Sequence, residues 1–231
     1  MRSTATLRNA LLAAFAAASL TACKDDNAVP LDPGHSYFPL NVGSWVEYQV
    51  DSMWQDDLLA IRDSVSYRLR EKILETYTDP TGRTAYRILR YVRNAEGEWQ
   101  VRDVWTATAD VRYAEKTEEN NRRLKLSFPV RSARTWNTNV YNTERLLDVA
   151  FRDVDKPWTA GSLAFDSTVV VRNLLGPNPI ERRDFEERYA RHVGLVEKKE
   201  WETNTQFNSV IQQFVVRGSK YSMVVVAYGT E

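Results

Sequence analysis

The side chains able to do acid–base, nucleophilic or metal chemistry are few in this chain, and they are badly spaced for it. There are two histidines, His35 and His192. Neither stands beside a second ligand at the spacing of a zinc or haem site. A Ser–His–acid triad would have to recruit one of them without a G-x-S-x-G elbow, and there is no glycine-rich phosphate loop. Adjacent acids occur at Asp56-Asp57, Glu118-Glu119 and Glu186-Glu187. On a strand, neighbours point to opposite faces, so such pairs cannot flank a bond as acid and base. No catalytic residue, metal ligand or cofactor is assigned. What remains is one cysteine, Cys23, and seven tryptophans. Trp45, Trp99 and Trp105 fall in apolar stripes and read as core. Trp136 and Trp158 lie in segments of irregular pattern and are candidate contacts for a ligand or partner, because indoles stack on sugars and line apolar pockets.

Cys23 closes the run Leu20-Thr21-Ala22-Cys23. Ahead of it, Arg2 and Arg8 precede an apolar stretch over residues 10–20, with no acid among the first 22 residues. That is the build of a secretory signal: at about 1.5 Å of rise per residue the stretch covers only about half of a ~30 Å hydrocarbon core. The run resembles the bacterial lipobox. The resemblance implies removal of residues 1–22, a diacylglycerol on the Cys23 sulfur and acylation of the new amine. An exported chain with one cysteine has no disulfide to form, and a thioether protects that sulfur from oxidation. Several acyl chains, at about 0.8 kcal/mol per buried CH₂, would hold the chain on a membrane.

Residues 23–36 are polar and rich in proline and glycine, so they read as a flexible tether. Within it Lys24-Asp25-Asp26 resembles the export signal of Bacteroidota surface lipoproteins, a lysine followed by two acids. It leaves two placements on the outer membrane open, surface-exposed or on the periplasmic face. Asp51-Ser52-Met53, Asp63-Ser64-Val65 and Asp166-Ser167-Thr168 resemble the acceptor triplet of Bacteroidota O-glycosylation, with Ser52, Ser64 and Ser167 as the acceptors.

The elements that must position these residues are strands. Period-two alternation recurs from residue 37 to the end, as at Val65, Tyr67 and Leu69, at Trp99, Val101 and Trp105, and at Leu124, Leu126 and Phe128. Asp79-Pro80-Thr81-Gly82, Asn94-Ala95-Glu96-Gly97 and Arg217-Gly218-Ser219-Lys220 are turn signals between them. Residues 61–78 and 186–203 read as two long strands. Hairpins without helices predict an all-β, mainly antiparallel fold in a single domain over residues 37–231. It is one large curled sheet, an open or half-closed barrel, with a two-layer β-sandwich as the alternative. The formal net charge is zero, and with no basic block nucleic acid is not an expected partner.

The run Tyr37-Phe38-Pro39-Leu40-Asn41-Val42-Gly43-Ser44-Trp45-Val46-Glu47-Tyr48, followed later by Val140-Tyr141-Asn142 and His192-Val193-Gly194-Leu195-Val196, resembles a group of Bacteroidota lipoproteins. Those open with Y-[FY]-P-L and a following Gly, Trp and Tyr after the tether. The resemblance implies a shared β-rich fold and an exported lipoprotein, and no activity. The leading expectation is a non-catalytic envelope lipoprotein, tethered to the membrane by its N-terminal lipid, whose β-body binds an apolar or glycan ligand or another envelope protein. A structural accessory subunit of an outer-membrane assembly is the alternative, and an enzyme acting on glycan or peptide a distant third.

Overall fold

Most strands follow one another through short turns, because the period-two runs are broken by turn residues and by no helical stretch. In the computed structural model, which describes residues 32–231, a 3₁₀ turn at His35–Tyr37 leads into twelve strands. These are β1 (Ser44–Asp56), β2 (Ile61–Thr78), β3 (Thr84–Arg93), β4 (Trp99–Ala109), β5 (Tyr113–Glu118), β6 (Asn121–Ser127), β7 (Thr135–Asn137), β8 (Asp148–Ala160), β9 (Leu163–Asn173), β10 (Glu181–Ala190), β11 (Gly194–Asn208) and β12 (Gln213–Thr230). They form one sheet in the order β6-β5-β4-β3-β2-β1-β12-β11-β10-β9-β8-β7. The first and last strands are neighbours, paired antiparallel from Ser44↔Thr230 to Asp56↔Arg217.

The edges of the sheet, β6 and β7, meet on the opposite side. There the Leu124 N–H donates to Thr138 O (2.8 Å) and the Trp136 indole N–H donates to Leu124 O (3.1 Å). The result is an up-and-down barrel, nearly closed, as the curled-sheet reading expects; it is not the sandwich. Among the described residues no helix is long and apolar enough to cross a membrane.

One end of the barrel is plugged by the segment that precedes β1. Pro33 O accepts from the Val130 N–H, the His35 ring meets Phe128 edge-on at 4.4 Å, and Phe38 and Leu40 pack on Ile73, Ile88 and Ala107. Tyr37 is fully buried; its hydroxyl donates to Asp155 (2.7 Å), which also accepts from Arg191. The compact body therefore starts at Pro33, inside the stretch read as tether from sequence. Residues 1–22, the Cys23 anchor and Lys24, Asp25 and Asp26 lie outside the described residues.

Bulges overturn several strand expectations. In the β3–β4 ladder Asp103 pairs with Arg90 but Val101 pairs with Tyr91, leaving Arg102 as an extra residue. Side chains before and after a bulge change faces. Trp99 and Val101 accordingly face out, with Trp99 beneath the Arg70 guanidinium at 4.6 Å, whereas Trp105 faces in under Arg90 at 3.5 Å. The three do not share a face. Residues 186–203 are not one strand but the β10–β11 hairpin, with His192 in its turn at φ 63°. Residues 217–220 are not a turn either: they lie inside β12, and the β11–β12 turn falls at 209–212. Gly218 marks a close approach of the strands. Its φ is +151°, and a Cβ there would stand 2.0 Å from Glu202 O.

A candidate ligand cavity above a buried charge layer

Inward-facing positions follow from register. On β1, Tyr48 and Val50 are buried, so Ser52 continues the inner face. Its partners Val65 on β2 and Tyr221 on β12 face the same way, and Tyr221 carries the row on through Glu200 to Phe185. Moving from the plugged end toward the other, the interior changes from apolar core to charge and then to open space.

The charged layer has two halves. In one, Lys125 donates to Glu118 (3.0 Å) and to Glu187 (2.5 Å), and Glu187 accepts from the Tyr189 hydroxyl (2.6 Å). Lys198 lies 3.9 Å from both carboxylates and 3.2 Å from Glu200. In the other, Glu71 accepts from Lys116 (2.6 Å) and Arg90 (3.1 Å), and Arg90 also holds Asp103 at 3.0 Å. Lys125 and Glu187 are 4% and 1% exposed. Lys125 is brought inside by a bulge: Ala114 pairs with Leu126 and Glu115 with Leu124, so the lysine between them is the extra residue. Charges this deep persist only when paired and hydrogen-bonded.

Burial works against ionisation of Glu118, but the ammoniums of Lys125 and Lys198 outweigh it and hold the carboxyl well below the usual carboxylate range. Glu71 is lowered the same way, burial being outweighed by Lys116 and Arg90. For Lys198, burial opposes the charge and Glu118, Glu200 and Glu187 more than restore it, raising the ammonium above the ordinary lysine value. At the plug, Asp155 is drawn down to about 2; its partial burial is overcome by hydrogen bonds from Tyr37, Ser167 and Arg191.

Glu71 and Glu118 bind a proton less readily folded than unfolded, so their contribution is complete above the ordinary value of 4.5 and is lost as pH falls through and below it. Melting temperature should be level from pH 7 to about 5 and drop steeply below about 4.5. A profile that stays flat to pH 3 in thermal scans contradicts the charge layer.

Above that layer lies a cavity of about 830 Å³. An adjoining depression of about 560 Å³ shares Ser52, Val65 and Tyr221 with it. Inner-face residues of both halves line it, among them Val65, Asn173, Phe185, Glu200 and Tyr221. In the second depression the bulged Arg102 donates to the Tyr67 hydroxyl (2.9 Å). The size is that of sites that take small organic ligands, and the wall mixes apolar surface with several charged groups of both signs, Glu200, Arg182 and Lys199 among them. Among the described residues no three His, Cys, Asp or Glu side chains group to hold a metal ion.

The residues singled out from sequence are scattered over this frame. Trp136, a candidate ligand or partner contact from sequence, is in β7, 9% exposed and packed on Phe151 at 4.5 Å; it is a closure residue of the barrel. Trp158 is in β8, stacked on Phe165 at 5.9 Å, with the Arg188 guanidinium 5.1 Å from its ring centre. Ser52 lines the cavity and Ser64 is exposed at its lip. The Ser167 hydroxyl is engaged by Tyr37 (2.8 Å) and donates to Asp155 (2.7 Å). The charge layer and cavity are what the sequence reading missed. The available signal was a run such as Leu124-Lys125-Leu126, which alternates correctly until a bulge re-aims its centre.

No protein-family model matches the chain, and no curated protein matches it. Among solved structures it is similar to a protein from Parabacteroides distasonis ATCC 8503 provisionally assigned as a lipoprotein, at 11% identity, over 84% of this chain and 98% of that one, with a TM-score of 0.39. It is also similar to a protein from Bacteroides fragilis NCTC 9343 provisionally assigned as exported and described as having a YmcC-like fold, at 11% identity over 84% and 98% of the two chains, TM-score 0.37.

Proposed function

We propose that this chain is an envelope lipoprotein, held on the outer membrane by lipid on Cys23, whose barrel binds an amphiphilic small molecule without transforming it. The observation that carries the reading is the division of one barrel into a filled half and a hollow half. A fold that needed only to be stable would fill both ends, since interiors pack to the density of organic crystals. Here twelve strands enclose more space than their side chains occupy, and about 830 Å³ is left at the unplugged end. The ligand's apolar body lies along Val65, Val92 and Phe185. Its polar group meets Glu200, whose carboxylate lies 3.2 Å from Lys198, and Arg102 in the adjoining depression. The signal-like residues 1–22 and the Lys24-Asp25-Asp26 run beside Cys23 support delivery to the envelope and export toward the cell surface.

Mass spectrometry of protein extracted gently from its own membrane tests both parts. Under denaturing conditions the chain should begin at Cys23 and carry covalent lipid; retained residues 1–22 or a bare sulfur would end the lipoprotein reading. Under native conditions a further non-covalent mass should ride on the wild type. It should be absent from Val65→Trp, which fills the cavity from an exposed wall position. An equal adduct on the variant, or none on the wild type, removes the ligand-binding reading and leaves the anchor untouched.

A further inference from the structure

The β11–β12 hairpin outruns the barrel. Pairing of β12 with β1 stops at Asp56↔Arg217, whereas β11 and β12 continue through Thr205↔Val216, Gln206↔Val215, Phe207↔Phe214 and Asn208↔Gln213. At about 3.3 Å per residue this blade projects roughly 13 Å beyond its neighbours. Its base is braced by the β1–β2 turn, where the Asp57 N–H donates to Val216 O and the Val216 N–H to the Asp57 carboxylate.

The chemistry of the blade is unlike the rest of the surface. In a chain that is 27% charged, residues 203–216 carry no charged side chain. The tip presents Phe207, Val210, Ile211 and Phe214, with Val210 88% and Phe214 72% exposed. The two phenylalanines stand ring to ring at 5.3 Å, with no other aromatic contact among the described residues. The turn satisfies its own backbone: the Asn208 side-chain oxygen accepts from the N–H groups of Val210 and Ile211, and the Gln212 amide donates to Ser209 O.

We infer that this tip inserts into a lipid surface. Three observations select lipid over another macromolecule. An exposed apolar tip gains by leaving water, and the absence of charge removes the cost that keeps ordinary hairpins out of a bilayer. Hydrogen bonds inside the turn lower the cost of bringing its backbone to the headgroup–acyl boundary, where water still reaches the outer edges of the hairpin. The reach of the blade matches the roughly 5–10 Å depth at which peripheral proteins seat apolar groups at the headgroup–acyl boundary. A standard protein interface draws on about 20–30 residues a side, and a point two strands wide offers few. Because residues 33–40 close the opposite end of the barrel, the tip is an attachment independent of the N-terminal one, and it stands beside the open mouth of the cavity.

The test uses residues 24–231, which lack Cys23 and contain the whole compact body, with vesicles of phosphatidylethanolamine and phosphatidylglycerol. The wild type should float with the vesicles. Val210→Asp and Phe214→Glu should each weaken flotation by about tenfold or more, the transfer cost of one buried apolar side chain, at unchanged melting temperature. Val65→Trp, which blocks the cavity, should float as the wild type does, so failure of the ligand reading and failure of this one are separable. Absent flotation, or flotation indifferent to a charge at the tip, overturns the inference. So does concentration-dependent self-association, measured by sedimentation, that the tip variants abolish while vesicles recruit nothing; that outcome would make the occupant a second copy of the chain.

Discussion

Lys125→Met is expected to destabilise the protein by about 3–5 kcal/mol, the usual result of removing one partner from a buried ion pair. The substitution keeps volume and apolar stem, so packing changes little. What it removes is the ammonium hydrogen-bonded to both Glu118 and Glu187. Glu187 is then left with the Tyr189 hydroxyl and with Lys198 at 3.9 Å, in a position 1% exposed. Urea unfolding followed by tryptophan fluorescence reads the loss directly. At this chain length it corresponds to a fall in Tm of about 2–4 °C for each kcal/mol. Adding Glu187→Gln should restore part of the loss, because the amide oxygen still accepts from Tyr189 while the stranded charge disappears. The double variant should be more stable than the sum of the single effects. A single-variant loss under about 1 kcal/mol, or strict additivity, would show that the charge layer is hydrated and energetically slack.

The second large effect is at the seam. Trp136→Ala should cost about 3–5 kcal/mol for the buried indole, with the Leu124 carbonyl losing its donor as well. The distribution of the damage is more telling than its size. Among the described residues β6 and the β7 segment are joined by the Leu124–Thr138 backbone hydrogen bond, the indole, the Arg134 contact to Ser127 (2.9 Å) and the Asn142 amide on Arg122 O (2.9 Å). By contrast β1 and β12 share thirteen paired positions. Amide exchange should therefore quicken along β6 and β7 first and leave the β1–β12 ladder protected. Trp136→Phe, which keeps the ring against Phe151 and drops only the N–H, should lose about 1–3 kcal/mol. Uniform exchange across both seams would contradict a barrel with one weak closure.

Much of the architecture was readable because it rests on local rules. Alternation, with Asp79-Pro80-Thr81-Gly82 and Asn94-Ala95-Glu96-Gly97 between the runs, gives β2, β3 and β4 almost to the residue. Where the reading slipped, a non-local contact decides. An extra residue at Arg102 or Lys125 has no composition of its own; it exists only relative to the partner strand, and it turns Trp99 and Val101 outward in one case and the lysine inward in the other. Gly218 looks like a turn glycine until β11 passes so close that no Cβ would fit. Trp136 sits in a strand of three residues, too short to show a period, and its burial depends on Leu124, whose place beside it is set by the sheet order. The cavity was out of reach for a further reason: it is space between strands far apart in the chain, and no residue records its volume.

The neighbourhood of β1 and β12 has a kinetic meaning. As the chain emerges with its N-terminal part first, β2 can zip onto one side of β1 at once, but the other side must wait for residues 213–230. Until they arrive a long edge of β1 stays unpaired, open to stray strands. Contacts between sequence extremes make assembly slow. The seam beside β1 is closed by residues 213–230, which act as a timer: the strands before them remain pliable until that hairpin comes home.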